Sequence, residues 1–427
     1  MARKLGIGHD DFAVVRESNN FYVDKTNFIR EWWESNDKVT LITRPRRFGK
    51  TLNMSMLENF FSLQYAGRGD LFEGLSIWRS EQYRELQGTY PVIFLSFANV
   101  KKASYKEARK KIGYTIERLY NRHEFLMEGT FLNEKEKQFF KDVRADMEDY
   151  IATSSLGALS EYLSRYYGKK VIILLDEYDT PMQEAWVNGY WDEMVSYTRG
   201  LFNSTFKTNS YLERAVMTGI TRINKESIFY DLNNLKVVTT TSEKYSDCFG
   251  FTEEEVFAAL DEFGLSGQKQ KVKDWYDGFT FGDRGDIYNP WSVISFLSEK
   301  KAGAYWANTS SNSLVGKLIQ EGSRDVKESF ETLLQGGSIA AEIDEQVVYS
   351  MLGDDEQALW SLLLASGYLK VKKSGSCASE SGEWEQDYEL ELTNFEVKAM
   401  FRKMIRKWFG GAAHGYNDGG KGAFRYG

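Results

Sequence analysis

The sequence predicts an α/β fold, a parallel-sheet sandwich followed by a mainly helical domain and a winged-helix-like end, and three observations predict it. Four short runs, "KVTLITRP" (38 to 45), "YPVIFLSFANV" (90 to 100), "KKVIILLDEYD" (169 to 179) and "ERAVMTGITRI" (213 to 223), have the near-continuous apolar cores of strands covered on both faces. Stretches at helical spacing, such as "YKEARKKIGYTIERLYNRH" (105 to 123) and "WDEMVSYTRGLFNSTF" (191 to 206), alternate with them. After about residue 250 the alternation stops and helical patterns take over.

The first strand, "KVTLITRP", is a β-branched run stopped by proline, and "TLNMSMLENFFSLQY" (51 to 65) then carries apolar residues at helical spacing. Strand, loop and helix follow one another, with Gly49, Lys50 and Thr51 at the helix start. A helix N-terminus offers free amides and a positive dipole end, the favoured place for a phosphate. Open parallel sheets bind ligands outside the carboxyl ends of their strands, which agrees with that position. Further on, "FTEEEVFAALDEFG" and "YNPWSVISFLSE" read as helices separated by a glycine-bearing turn region, "YDGFTFGDRGD". "QALWSLLLASGYLKVKK" (357 to 373) reads as a helix running into a strand, and "YELELTN" (388 to 394) alternates as a second strand. The expected divisions are a nucleotide-binding domain over 1–248, a helical lid-like domain over 249–335, a winged-helix-like region over 336–409 and a flexible glycine-rich tail over 410–427.

Composition narrows the function classes. A net charge of -8 gives no whole-chain case for binding nucleic acid. Only Cys248 and Cys377 are present, so neither a disulfide framework nor a cysteine metal site is expected, and a reducing cytoplasm fits. No run of about 18 apolar residues suits a membrane span, and the opening "MARKLGIGHDD" lacks a signal-peptide core.

"TRPRRFGKT" (43 to 51) holds the end of a phosphate-binding loop, G-x-x-x-x-G-K-[ST], with Arg44 where the first glycine normally stands. Lys50 would neutralise the β- and γ-phosphates and Thr51 would coordinate Mg2+. Arg46, Arg47, Phe48 and Gly49 complete the loop; the two arginines could contact phosphate, an adjoining protein surface or only water. The first glycine mainly permits a tight turn, and Pro45 already fixes φ there, so an altered but competent loop is expected. "VIILLDE" ends in Asp176 and Glu177, the strand-end acids of a P-loop NTPase: Asp176 for the metal, Glu177 as general base or water-orienting group. Thr218 is the candidate γ-phosphate sensor, and Arg222 the candidate stabiliser of transition-state charge.

Together "YVDKT" (22 to 26), "TRPRRFGKT", "LLDEYDTP" (174 to 181), "TGITRI", "YDGF" (276 to 279) and "YNPWSV" (288 to 293) resemble the AAA-ATPase-like family of bacterial P-loop proteins, in order from about residue 5 to 400. The resemblance implies an ATPase of the AAA-related, STAND-like kind, and "RPRRFGK" is the loop usual in that family. ATP in preference to GTP is implied by the resemblance alone. Tyr22 and Asp24 are candidates for positioning the nucleotide. Many relatives continue into a nuclease-like domain of the PD-(D/E)XK kind, which this chain is read as lacking, its glycine-rich end being read as truncated or frameshifted. Glu396-Val397-Lys398 matches E-x-K, but with no Pro-Asp pair the match is read as chance.

The helix pattern "VKAMFRKMIRKWF" (397 to 409) puts Phe401, Ile405 and Trp408 on one face, with Arg402, Lys403, Arg406 and Lys407 toward water. Packing of the apolar face is favoured over contact with nucleic acid or an anionic surface. The resulting expectation is a cytoplasmic, Mg-dependent ATPase whose nucleotide state moves its downstream domains. The alternative is a nucleotide-gated scaffold for a protein or nucleic acid with little turnover. A protein partner or self-association is left open, nucleic acid is not indicated, and no membrane is involved.

Overall fold

In the computed structural model, residues 3–410 are described apart from 224–227, 230–231, 308–312, 345, 348–351, 353–354 and 379–383. The central sheet begins with β1 (Val39–Thr43), β2 (Val92–Ser96), β3 (Val171–Asp176) and β4 (Leu212–Gly219). The chain then forms a two-residue β5 (Arg222–Ile223) outside the sheet and returns as β6 (Leu235–Val238). The order is β2-β3-β4-β1-β6, with every pairing parallel. All six residues of β3 are buried, as its uninterrupted apolar run requires.

Because strand side chains alternate faces, the sheet feeds two cores. Leu41, Ile173, Leu175, Ala215 and Met217 face one, shared with the helices Tyr105–Asn121 and Asp149–Tyr167. Ile42, Ile172, Leu174 and Val216 face the other, shared with the helix Lys50–Phe61. Each fully buried aliphatic side chain contributes about 1.5–3 kcal/mol. The apolar length of β3 therefore offsets the cost of placing the carboxylate of Asp176, itself fully buried, at its end.

Downstream, β7 (Phe251–Thr252), β8 (Phe279–Phe281) and β9 (Arg284–Tyr288) form an antiparallel sheet in the order β7-β9-β8. The stretch expected as a turn region is thus mostly a hairpin. Its strand signal, buried Phe279 and Phe281 about Thr280, is only three residues long. The helices expected on either side are present as Glu253–Glu262, opened by a Thr252–Glu255 capping box, and Pro290–Glu299, capped by Asn289.

The C-terminal part has β10 (Ile339–Glu342), β11 (Gln346–Val347), β12 (Leu369–Ala378) and β13 (Trp384–Leu392). β10, β13 and β12 form a three-stranded antiparallel sheet, with the helix Glu356–Ala365 directly ahead of β12. β11 instead pairs in parallel with β5, so the segment that follows β4 is tied to this region. The helix Phe395–Gly410 buries Val397, Met400 and Phe401, while Arg402, Lys403 and Arg406 are exposed. Phe401 packs edge-on against Phe330 and Tyr368, at 4.8 and 5.5 Å. The side chains of Lys407 and Trp408, and the expected tail beyond Gly410, lie outside the described residues. No helix among the described residues is long and apolar enough to cross a membrane.

Glu396, the acid of the E-x-K match, is buried in this junction. Its carboxylate accepts from Ser292 Oγ at 2.7 Å and from the Ala307 amide at 3.2 Å. Burial pushes its pKa from 4.5 up to about 7, against these hydrogen bonds. The folded chain therefore holds a proton that the unfolded chain has released. This stabilising contribution is full below about pH 4.5 and is lost as pH rises through about 7. Glu396→Gln is expected to flatten the fall in the urea midpoint across that window; a profile parallel to wild type would contradict the assignment.

Candidate functional site

β1 ends at Thr43 and the helix Lys50–Phe61 begins seven residues on, so the loop 44–49 sits at the carboxyl edge of the sheet. Gly49 caps the helix with φ +78°, a left-handed conformation that glycine adopts without steric cost. Lys50 is buried and donates to the carbonyls of Arg44 and Pro45, both at 2.9 Å. Burial lowers its pKa, opposed by the charges of Glu177, Asp176 and Asp179. Thr51 Oγ1 donates to Asp176 Oδ2 at 2.9 Å, and Thr218 Oγ1 donates to Asp176 Oδ1 at 2.5 Å. Burial raises the Asp176 pKa, while the two hydroxyls pull it down. The structure thus brings Lys50, Thr51, Asp176 and Thr218 together from three adjacent strand ends.

Glu177 follows with φ +51°; its carboxylate accepts from Thr180 Oγ1 at 3.1 Å. Its amide lies 3.4 Å from the Thr218 hydroxyl. Arg222 lies just past the end of β4, in β5. It lines a small cavity with Thr43, Thr240 and Thr241, beneath Ser361 and Leu364 of the helix Glu356–Ala365, and the cavity wall does not include Lys50, Asp176 or Glu177. Phe48 turns its ring away from the loop's interior, 4.8 Å from the Phe279 ring and 5.4 Å from the Phe281 ring, so only its backbone is available to a ligand. Arg46 Nη2 reaches Gln183 Oε1 at 3.4 Å, and the guanidinium of Arg47 stacks over Trp291 at 4.4 Å. Both loop arginines therefore contact the protein surface. Tyr22 and Asp24 are engaged locally: the Tyr22 hydroxyl contacts Met56 Sδ at 3.4 Å, and Asp24 accepts from Thr26 and from the Ser76 amide.

Asp179 is the residue that sequence reasoning passed over. Its buried Oδ2 accepts from the amides of Ile220 and Thr221 at 2.9 and 3.0 Å, from Thr221 Oγ1 and from Gln183 Nε2. Tyr178 adds a second fastening, its hydroxyl donating to Thr221 O at 2.7 Å and accepting from the Ile223 amide. Gly219 makes the approach fit, since a Cβ there would lie 2.6 Å from the Tyr178 ring. The roles of Asp176 and Glu177 are read from their place at the strand end; that Asp179 fastens a neighbouring strand depends on the turn and was not legible.

Arg44 is fully buried and donates to the carbonyls of Thr43, Thr239, Lys244 and Tyr245 at 2.6 to 3.4 Å. Its guanidinium lies 4.5 Å from the centre of the Phe281 ring. Burial lowers its pKa to about 10, which leaves it charged at neutral pH. At the position of the missing glycine stands a pin that holds the segment after β6 against the loop.

The hard-oxygen pair of Thr51 and Asp176, beside a buried lysine at a helix start, fits Mg2+ and phosphate. Parallel sheet, loop and strand-end acids define an α/β NTPase-like core. The chain belongs to the AAA-ATPase-like family, described as predicted AAA-ATPases, whose profile matches residues 6–229. It is also 24% identical, over 405 residues, to an uncharacterized protein in the vnfD 5' region of Azotobacter chroococcum mcd 1, a match covering 94% of this chain and 70% of the relative. That similarity extends well past the family-matched segment into the downstream region.

Restoring the usual glycine is expected to harm this protein. Arg44→Gly leaves a cavity and strands three distant carbonyls, lowering stability by about 2–4 kcal/mol in urea unfolding. Stability at or above wild type would show that Arg44 is not a pin.

Proposed function

We propose that the protein binds ATP and hydrolyses it slowly with Mg2+, and that its nucleotide state repositions the downstream helical and winged-helix-like regions. The observation that carries this reading is the convergence of the Thr51 and Thr218 hydroxyls on the two oxygens of Asp176 beside buried Lys50. Lys50 would exchange its carbonyl acceptors for the more strongly accepting β- and γ-phosphate oxygens. The amides of Arg46, Arg47, Phe48 and Gly49 would line the phosphates. Thr51 and Asp176 would hold Mg2+, which when bound neutralises phosphate charge. Glu177 would orient the attacking water and accept its proton, and Thr218 would report the γ-phosphate to Asp176 and to the Glu177 amide.

Arg222, on the segment after β4, would stabilise the developing charge. That segment is β5, which pairs with β11, so the position of the arginine and movement of the C-terminal region would be coupled. The winged-helix-like reading of that region is supported by the sheet order β10-β13-β12 with a helix ahead of the β12-β13 hairpin. A second reading, a nucleotide-gated scaffold with little turnover, is supported by the position of Arg222 in the wall of the cavity it lines with Thr43, Thr240 and Thr241.

Phosphate release and retained nucleotide, measured together with Mg-ATP, separate the two. The ATPase reading expects turnover by wild type, loss of both binding and turnover in Lys50→Ala, and binding with turnover lowered at least about 100-fold in Glu177→Gln. Wild type that binds ATP yet releases phosphate no faster than Glu177→Gln would establish the scaffold instead.

A further inference from the structure

The phosphate loop is held from outside by a part of the chain that lies far away in sequence. The carbonyl of Arg46 accepts two hydrogen bonds, from Asn289 Nδ2 at 3.2 Å and Trp306 Nε1 at 2.9 Å. In a trans peptide the carbonyl and the amide point opposite ways, so fixing this oxygen aims the Arg47 N–H away from Asn289 and Trp306. Arg47 itself has φ +64°, a left-handed conformation costing a residue with a Cβ about 1–2 kcal/mol. Gly49 has φ +78° two residues later. Such reversals gather successive amides into an anion-binding concavity.

The strained residue has specific supports. Besides the two donors to the preceding carbonyl, Trp291 stacks on the Arg47 guanidinium at 4.4 Å, and the Gly250 amide donates to Phe48 O at 3.4 Å. Asn289 holds its place because its Oδ1 caps the helix Pro290–Glu299, accepting from the amides of Trp291 and Ser292. Trp306 is fixed between the rings of Phe279 and Tyr368, each 5.5 Å away.

We propose that Asn289 and Trp306 are positioning residues of the nucleotide site: they set the Arg46–Arg47 peptide so that the loop presents a concavity for the phosphates of a nucleoside di- or triphosphate. The site is then a composite of two regions, and the family-matched segment 6–229 holds only part of it. This rests on the nucleotide-binding reading above and deepens it.

The test is calorimetric titration of the full chain with Mg-ATP. Asn289→Ser keeps a helix-capping oxygen but is too short to reach Arg46, and Trp306→Phe keeps the ring while losing its donor. The pair is expected to weaken binding about tenfold, with Trp306→Phe alone about threefold in case the pair folds poorly. Adding Arg47→Gly to the pair should recover most of the loss, because glycine takes the left-handed conformation without a clamp. A general loss of packing would not be rescued this way. Undiminished binding in Trp306→Phe and the pair, or no recovery with Arg47→Gly, overturns the proposal and leaves the nucleotide reading standing. Wild type that binds no better than Lys50→Ala overturns both.

Discussion

Two side-chain donors converging on one backbone oxygen, that of Arg46, are the contact from which the architecture of this site follows. A glycine-rich phosphate loop can turn tightly at little steric cost. Here four of the six positions from Arg44 to Gly49 carry bulky side chains, and another is proline. The bulk is accommodated because almost every position has an external seat: Arg44 among the carbonyls after β6, Phe48 between Phe279 and Phe281, Arg47 over Trp291. Even Pro45 lies where a Cβ on Gly367 would come within 2.8 Å of it. The loop has exchanged intrinsic flexibility for tertiary support.

A second fastening runs across the sheet. Asp179 and Tyr178, on the turn after β3, grip the segment 220–223 after β4, and that segment continues as β5 into its pairing with β11. Gln183 links the same carboxylate to Arg46. The loop, the strand-end acids and Thr218 are therefore connected through hydrogen bonds to two downstream structures, the β7-β9-β8 sheet with its following helix and the C-terminal region. A change at the phosphates has short physical routes to both.

Much of this was legible in the sequence where the signal is local. Strand, loop and helix around Gly49-Lys50-Thr51 were readable because a β-branched run gives way to helical spacing, and Asp176 because it ends an apolar run. The helix in "YNPWSVISFLSE" was readable from its spacing, whereas the capping role of Asn289 emerges from the structure. What was not legible is the partner of each group. Arg44 meets Thr239 across 195 positions, and Trp306 meets Arg46 across 260. Neither periodicity nor turn chemistry encodes such distances. The hairpin β8-β9 escaped notice because a three-residue strand rich in neighbouring glycine looks like a turn.

The claim that the downstream region shapes the phosphate loop is tested most directly by amide hydrogen exchange of the full chain with and without Mg-ATP. If the loop and its external supports form one unit, bound nucleotide slows exchange across 279–307 together with 44–51 and 176–179. Slowing confined to 44–51 and 176–179, with 279–307 unchanged, would contradict the account and describe a self-contained phosphate loop that merely touches its neighbour.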